Sequence, residues 1–277
     1  MIQPKVWKLG GNKQIILDRT YVMGILNVTP DSFSDGGNYS DTQKAIARAY
    51  EMAAQGADII DIGGQSTRPG HTPVSPEEEW RRIEPVIREL CAKYELVISV
   101  DTYYPQVALK SVEYGVHIIN DVTGFNDPLM REYAARYKVG CVIMHDIQLD
   151  ENADVCGVLK DFFRSRIAEC ITDGIDQENI CLDPGIGICF GKSYRQNLQI
   201  AANFRDLCLE GYPMLAAASR KSVIGMSCGN PPANERMPGT IAYHTACILG
   251  GADIIRVHDV TEAVHAARVI DAVRGTL

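Results

Sequence analysis

Eight short apolar runs in this chain close on groups that could do chemistry. The groups are Asn27, Asp61, Asp101, Asn120 with Asp121, His145, Asp183, the Ser219-Arg220-Lys221 run, and Arg256 with His258. A carboxylate accepts two parallel N–H bonds, and an amide both donates and accepts. Carboxylates and amides facing one space therefore suit a flat heterocycle with an amino-pyrimidine edge and a carbonyl. Arg68, Arg256 and His258 suit phosphate, because a guanidinium grips an oxyanion in a fork. Lys221-Ser222 opens a helical pattern, whose N–H groups and dipole favour an anion. Polar residues also end strands simply as caps, and for Asp61 and Asp121 both readings stand.

To hold such groups in one ring, the chain must bring eight strand ends together. Tyr21–Asn27, Asp58–Gly63, Val97–Asp101, His117–Asp121, Gly140–His145, Ile180–Asp183, Pro213–Ala218 and Asp253–Val257 read as strands, with helix-length segments between them. Asp41–Gln55 is alanine-rich and stops at Gly56, a suitable C-cap. Ser75-Pro76-Glu77-Glu78 reads as a helix start, with Ser75 as cap, proline at the first position and Glu78 completing a capping box. One pattern recurs three times, as Gly56-Ala57-Asp58-Ile59-Ile60-Asp61, Gly115-Val116-His117-Ile118-Ile119-Asn120 and Gly251-Ala252-Asp253-Ile254-Ile255-Arg256. A glycine stop leads each time into a buried Ile-Ile strand, and the next residue is polar. Parallel strands covered on both faces have this apolar character. Eight such alternations predict a single (β/α)8 TIM barrel domain over residues 1–277, which includes a short N-terminal extension of about residues 1–19. An open doubly wound sheet is the runner-up, but Asn27-Val28-Thr29-Pro30 is not its glycine-rich nucleotide turn.

Composition agrees with a large soluble core: 277 residues, 46% hydrophobic and 22% charged. The net charge of −8 argues against bulk binding to nucleic acid or acidic lipid, yet leaves room for a local cationic site. The nine cysteines are scattered, form no C-x-x-C pair and in several cases lie in apolar runs, as expected of reduced thiols in a cytoplasmic protein. Neither a signal core nor an uninterrupted apolar span of about 18 residues is present, so no membrane partner is expected.

Several motifs resemble those of dihydropteroate synthases, in that family's order. They are Met23–Gly37 (MGILNVTPDSFSDGG), Asp61–Gly70 (DIGGQSTRPG), Ser99–Thr102, Ile119–Val122, Asp183–Gly187 (DPGIG), Ser219–Ser222 (SRKS) and Arg256–Val260 (RVHDV). The resemblance implies a pterin-binding barrel that joins p-aminobenzoate to hydroxymethyl-dihydropterin pyrophosphate in folate biosynthesis. It implies Asn27 as the magnesium and pyrophosphate ligand, and Asp101, Asn120 and Asp183 as pterin-binding groups. Lys221 matches the lysine near the pterin carbonyl, Ser222 the serine meeting the aminobenzoate carboxylate, and Thr67, Arg68, Arg256 and His258 positions around the diphosphate. Asp101, Lys221 and Asn27 are the expected catalytic set, and Arg220 braces the site. The segments around Val28–Asn38 and Gln65–Ser75 read as closing loops, the first bringing Asp31, Ser32, Phe33 and Asp35 to the substrates. A homodimer through Pro238–Leu249 and Val264–Val273, and sulfonamide sensitivity, are further expectations of the resemblance.

Three places depart from the family pattern. Asp183–Lys192 reads DPGIGICFGK, with an additional Ile188-Cys189 pair. Ala216-Ala217-Ala218 stands where a glycine is usual near the pterin, and Asp146–Asp150 is unusually acidic. A methyltetrahydrofolate–corrinoid methyltransferase would share the carboxylate and amide readers but not the SRKS run or the NVTPDSFSDGG loop. A barrel that binds pterin without catalysis is the other rival.

Overall fold

The computed structural model describes residues 5–29, 37–65, 73–93 and 96–275. Two short strands, β1 (Lys5–Lys8) and β2 (Gln14–Leu17), pair as an antiparallel hairpin with Lys5 opposite Leu17. After it come β3 (Tyr21–Asn27), α1 (Gly37–Ala54), β4 (Ile59–Gly63), α2 (Pro76–Lys93), β5 (Val97–Asp101), α3 (Pro105–Glu113) and β6 (Ile118–Asp121). The second half runs α4 (Pro128–Tyr137), β7 (Gly140–Met144), α5 (Val155–Thr172), β8 (Ile180–Asp183), α6 (Tyr194–Ala202) and α7 (Phe204–Leu207). It ends with β9 (Leu215–Ala216), α8 (Ser222–Ser227), α9 (Met237–Leu249), β10 (Ile254–Val257) and α10 (Val260–Arg274).

Strands β3 to β8 are parallel neighbours in chain order, and β10 joins β3 on one side and β9 on the other. A bridge between Leu182 and Met214, with Leu182 N–H donating to Pro213 O at 2.9 Å, closes β9 onto β8. The sheet is therefore a barrel, and the open doubly wound alternative is excluded. Most strands fall within one residue of the sequence expectation. The exception is β9, a two-residue strand inside the expected Pro213–Ala218. Its ladder is short because Pro213 has no N–H, Met214 N–H goes to Asp253 Oδ2 at 2.9 Å, and Ala218 N–H goes to His244 Nε2 at 3.0 Å.

Alternate residues of each strand face opposite sides. Ile60, Ile62, Ile98, Val100, Ile119 and Ile255 face outward into the shell of helices. Met23, Ile59, Ile118, Val142, Cys181, Leu215 and Ile254 fill the interior, with Trp7, Leu9, Ile15 and Leu17 of the hairpin among them. The hairpin thus plugs the N-terminal end. Trp7 is fully buried and its Nε1–H donates to Asn179 O at 2.8 Å. A side chain on Gly140 would meet Leu9 Cδ2 at 2.6 Å and Trp7 Cζ2 at 3.2 Å, so the plug's side chains seat closely against this glycine and would have to shift to admit a larger residue.

Helix α2 starts as expected, with Ser75 Oγ accepting Glu78 N–H at 3.2 Å. The reciprocal half of the capping box is not made. Arg81 (2.8 and 2.9 Å) and Arg82 (2.7 Å) take the Glu78 carboxylate instead, and hold it down at about 2. A complete box opens α6, between Ser193 and Gln196. No described helix is long and apolar enough to cross a membrane.

Candidate active site at the C-terminal end of the barrel

The polar strand ends converge through strand register. Asn27 lies beside Gly63, Gly63 beside Asp101, and Asp101 beside Asn120, so four neighbouring strands present one row at the barrel mouth. Gly63 sits between the two side chains; a Cβ there would be in ordinary contact with both, 3.6 Å from Asp101 Cβ and 3.7 Å from Asn27 Oδ1. A position without a side chain, flanked by an amide and a carboxylate, keeps the row low enough for a planar polar ring to lie over it.

The three repeats meet where Asn120 of that row reaches down to Asp61 and Arg256. Arg256 Nε donates to Asp61 Oδ2 at 2.6 Å, and Asn120 Nδ2 donates to the same oxygen at 3.0 Å. The polar residue after each Ile-Ile pair is therefore bonded to another of the three. Arg256 Nη2 also donates to Asp101 Oδ2 at 2.6 Å. Burial works against the Arg256 charge, but Asp61 and Asp101 more than offset it and hold the guanidinium firmly protonated. Burial pushes the Asp101 carboxyl above the ordinary carboxylate range, with Arg256 opposing. Asp61 is thus no surface cap but the anchor that orients Arg256 and Asn120. Asp121 does cap a turn: Oδ1 accepts from Thr123 N and Oγ1, both at 2.8 Å, and Oδ2 accepts Phe125 N–H at 3.0 Å.

Asp183 lies across the mouth. Burial raises its pKa, Lys221 opposes the shift, and Oδ1 accepts Gly185 N–H at 2.7 Å. Lys221 Nζ donates to Ile186 O and sits 4.8 Å from the centre of the Phe190 ring. The added Ile188-Cys189 pair falls in a single 3-10 turn, Ile188–Phe190, between Gly187 and Gly191 in positive-φ conformations. Below it Lys192 is buried, with Nζ donating to His145 O at 3.1 Å and Phe190 O at 3.2 Å. The acidic 146–150 segment packs on the same loop, Leu149 N–H donating to Gly191 O at 2.8 Å. His145 itself is buried, edge-on to Phe162, and burial lowers it to about 3, so it is a neutral imidazole and not a mouth-facing base. Ala217, in the departing alanine run, is buried with the barrel interior.

On the last two loops, Ser219 Oγ lies 2.9 Å from His258 Nδ1 and accepts the His258 backbone N–H at 3.1 Å. Ser222 is the first residue of α8. Arg220, between Ser219 and Lys221, pairs through both sides of its guanidinium with Asp259. Thr67, Arg68, Asp31, Ser32, Phe33 and Asp35 lie outside the described residues.

Sequence reading missed a second network beside this mouth. Buried Glu79 accepts Gln65 Nε2–H at 2.9 Å, while Gln65 Oε1 accepts the Tyr103 hydroxyl at 3.1 Å. Burial, opposed by a Thr102 hydrogen bond, pushes the Glu79 carboxyl up to about 7. Its signal in the sequence, a third glutamate in a helix N-terminus, is one that exposed helices share.

Among the described residues, no three His, Cys, Asp or Glu side chains converge to hold a metal ion. Asn27 contributes one neutral oxygen. That donor fits magnesium arriving with waters and phosphate oxygens, rather than an ion caged by protein alone.

Fold and mouth together define a parallel (β/α)8 barrel with buried carboxylates, an amide and cations gathered at its C-terminal end. The model of the pterin-binding enzyme family matches residues 23–258. A dihydropteroate synthase of Clostridium beijerinckii is 44% identical over 272 residues, covering 96% of this chain and 98% of its own. A Clostridium difficile dihydropteroate synthase structure obtained with pteroic acid superposes with a TM-score of 0.88 at 45% identity, covering 92% of this chain and 97% of that one. A Xanthomonas albilineans dihydropteroate synthase with 4-aminobenzoic acid gives 0.90 at 41% identity, covering 97% and 98%. This chain belongs to the dihydropteroate synthases, within the pterin-binding enzymes.

Proposed function

We infer that this chain is a transferase condensing hydroxymethyl-dihydropterin pyrophosphate with p-aminobenzoate to give dihydropteroate and pyrophosphate. The row Asn27–Gly63–Asp101–Asn120, facing Asp183 and Lys221, carries the reading. In it Asp101, Asn120 and Asp183 take the amino-pyrimidine edge, and Lys221 takes the pterin carbonyl. Ser222 meets the aminobenzoate carboxylate, and Thr67, Arg68 and His258 lie along the diphosphate. Arg256 reaches that region from beneath, with its Nε and Nη2 committed to Asp61 and Asp101.

The substitution is dissociative. The C–O bond to pyrophosphate breaks, and the electron pair leaves with the oxygen. Positive charge on the exocyclic methylene spreads into the dihydropterin ring, where the buried Asp101 carboxylate stabilises it more than it stabilises the neutral ground state. The neutral arylamine nitrogen forms the new bond and loses its proton afterwards, so no strong general base is required. Asn27 would hold a magnesium ion accompanying the diphosphate, where such an ion neutralises charge on the leaving group.

The same reading makes the enzyme cytoplasmic, open to sulfonamides as aminobenzoate analogues, and homodimeric through α9 and α10. Exposed Leu249, Val269 and Val273 on those helices support the last point. Sedimentation equilibrium tests it. Pyrophosphate release on mixing both substrates with magnesium, repeated with several arylamines and with sulfonamide competition, tests the reaction. Pterin binding by folded protein with no release for any amine favours a binding-only barrel instead.

A further inference from the structure

Arg220 has a left-handed backbone, with φ of +58°, at the position between Ser219 and Lys221. An L residue enters that region at a steric penalty, so it stays there only when its surroundings over-determine it. Here all three parts of Arg220 are held. Its backbone N–H donates to Thr240 Oγ1 at 3.0 Å, and the Thr240 hydroxyl donates onward to Arg236 O at 2.9 Å. Its carbonyl accepts Arg236 Nη1–H at 3.1 Å, while Arg236 Nε donates to Pro231 O at 2.9 Å. Its guanidinium is paired with Asp259, with Nε 3.0 Å from Oδ2. Arg236 is itself seated on Gly225, where a Cβ would come 2.7 Å from the guanidinium carbon.

The strained turn has two outputs. It directs Ser219 toward His258, and it directs Lys221 toward Ile186 and Asp183. Asp259 directly follows His258, so the Arg220–Asp259 pair also ties the end of β10 to the loop after β9. We propose that Asp259, Arg236 and Thr240 are positioning residues: they form a clamp that holds the left-handed turn at Arg220, and thereby the Ser219–His258 pair and Lys221, in working geometry. None of the three touches the space between Asp101 and Asp183. The proposal rests on the mouth being the substrate site.

Kinetics with a designed rescue tests it. Asp259→Ala should lower kcat/KM for the pterin substrate about five- to thirtyfold, the cost of a left-handed L residue (~1–2 kcal/mol). Arg236→Met, which acts on the same peptide from the opposite side, should do likewise. Glycine enters positive φ without steric cost. The double variant Arg220→Gly/Asp259→Ala should therefore return to within about threefold of the parent. A double variant no better than Asp259→Ala overturns the proposal, because the arginine charge and not the turn would then matter. Unchanged kcat/KM in Asp259→Ala and Arg236→Met overturns it too.

A readout independent of turnover separates this from the reading of function. Crystal structures of the substrate-free variants should show residue 220 out of the left-handed region in Asp259→Ala, with Ser219 Oγ and His258 Nδ1 beyond hydrogen-bond reach of about 3.5 Å. If Asp259→Ala does not fold, the milder Asp259→Asn and Arg236→Met carry the same expectation. Retention of the turn and of the Ser219–His258 contact in the folded variants refutes the clamp, whatever the parent enzyme catalyses.

Discussion

The two ends of this barrel are built from the same strands, often from residues only two apart, and have opposite characters. Ile59, Ile118, Cys181 and Ile254 face the N-terminal interior, where they pack with Trp7 and Leu9. Two residues further along the same faces stand Asp61, Asn120, Asp183 and Arg256. The lower end buries apolar surface at roughly 1.5–3 kcal/mol per large side chain, which supports stability. The upper end buries carboxylates and a guanidinium, whose desolvation about cancels their attraction. It contributes little net stability and holds groups where a ligand needs them. Stability and function are therefore divided between the two ends of each strand, as the parallel barrel permits.

The largest effect should come from unbalancing the upper end. Arg256→Met leaves Asp61 and Asp101 buried without their cation. It should cost about 3–5 kcal/mol in urea unfolding and abolish pterin binding in calorimetry. Adding Asp61→Asn should recover part of the stability and none of the binding. Trp7→Ala should lose a similar 3–5 kcal/mol, through a cavity and the hydrogen bond to Asn179. Its kcat/KM should nevertheless stay within about threefold of the parent at a temperature where it is folded. A large kinetic defect there would break the division between the ends.

Within the upper end, binding and catalysis should separate at Asp101. Asp101→Asn keeps a planar polar group in the row but removes the charge. Pterin affinity should stay within about tenfold while kcat falls about 10²–10³-fold, the size of losing one electrostatic stabiliser. Equal losses in both would sink the assignment of Asp101 to charge stabilisation.

Much of this division was legible in the sequence because both ends obey a period of two. The Ile-Ile-polar repeats announced an apolar layer beneath a polar one, and the structure joins Asp61, Asn120 and Arg256 in that polar layer. What the repeats could not announce is partnership. By residue type Arg256 reads as a phosphate ligand. Its first partner is a carboxylate 195 positions away, and only barrel closure brings them together. Glu79 and Lys192 were hidden for the same reason, since a charged residue in a helix or loop carries no mark of being covered. The capping box illustrates the local version: Ser75 and Glu78 have the right spacing, but Arg81 and Arg82 compete for the glutamate. The plug shows the converse, because an N-terminal extension was visible while its seat against Gly140 was not.

The smallest effect sharpens the comparison by its sign. His117 belongs to the lower end: its Nδ1 accepts Ile98 N–H at 3.0 Å, and burial lowers its pKa to about 4. Its folded pKa lies below the unfolded value of about 6.5. The stability it contributes is therefore complete above 6.5 and is lost as pH falls toward 4. Glu79 belongs to the upper end, facing Gln65, Thr102, Asp101 and Arg82, and is raised from 4.5 to about 7. Its contribution is complete below 4.5 and is lost as pH rises through 7. Each shift corresponds to at most about 3 kcal/mol. Urea unfolding across pH should therefore give difference curves of opposite slope. Glu79→Gln should gain on the parent as pH rises from 4.5 to 8, and His117→Asn should gain as pH falls from 6.5 to 4. Parallel curves for either variant and the parent would show that the buried group does not titrate on unfolding, and would remove that end's contribution to the pH dependence.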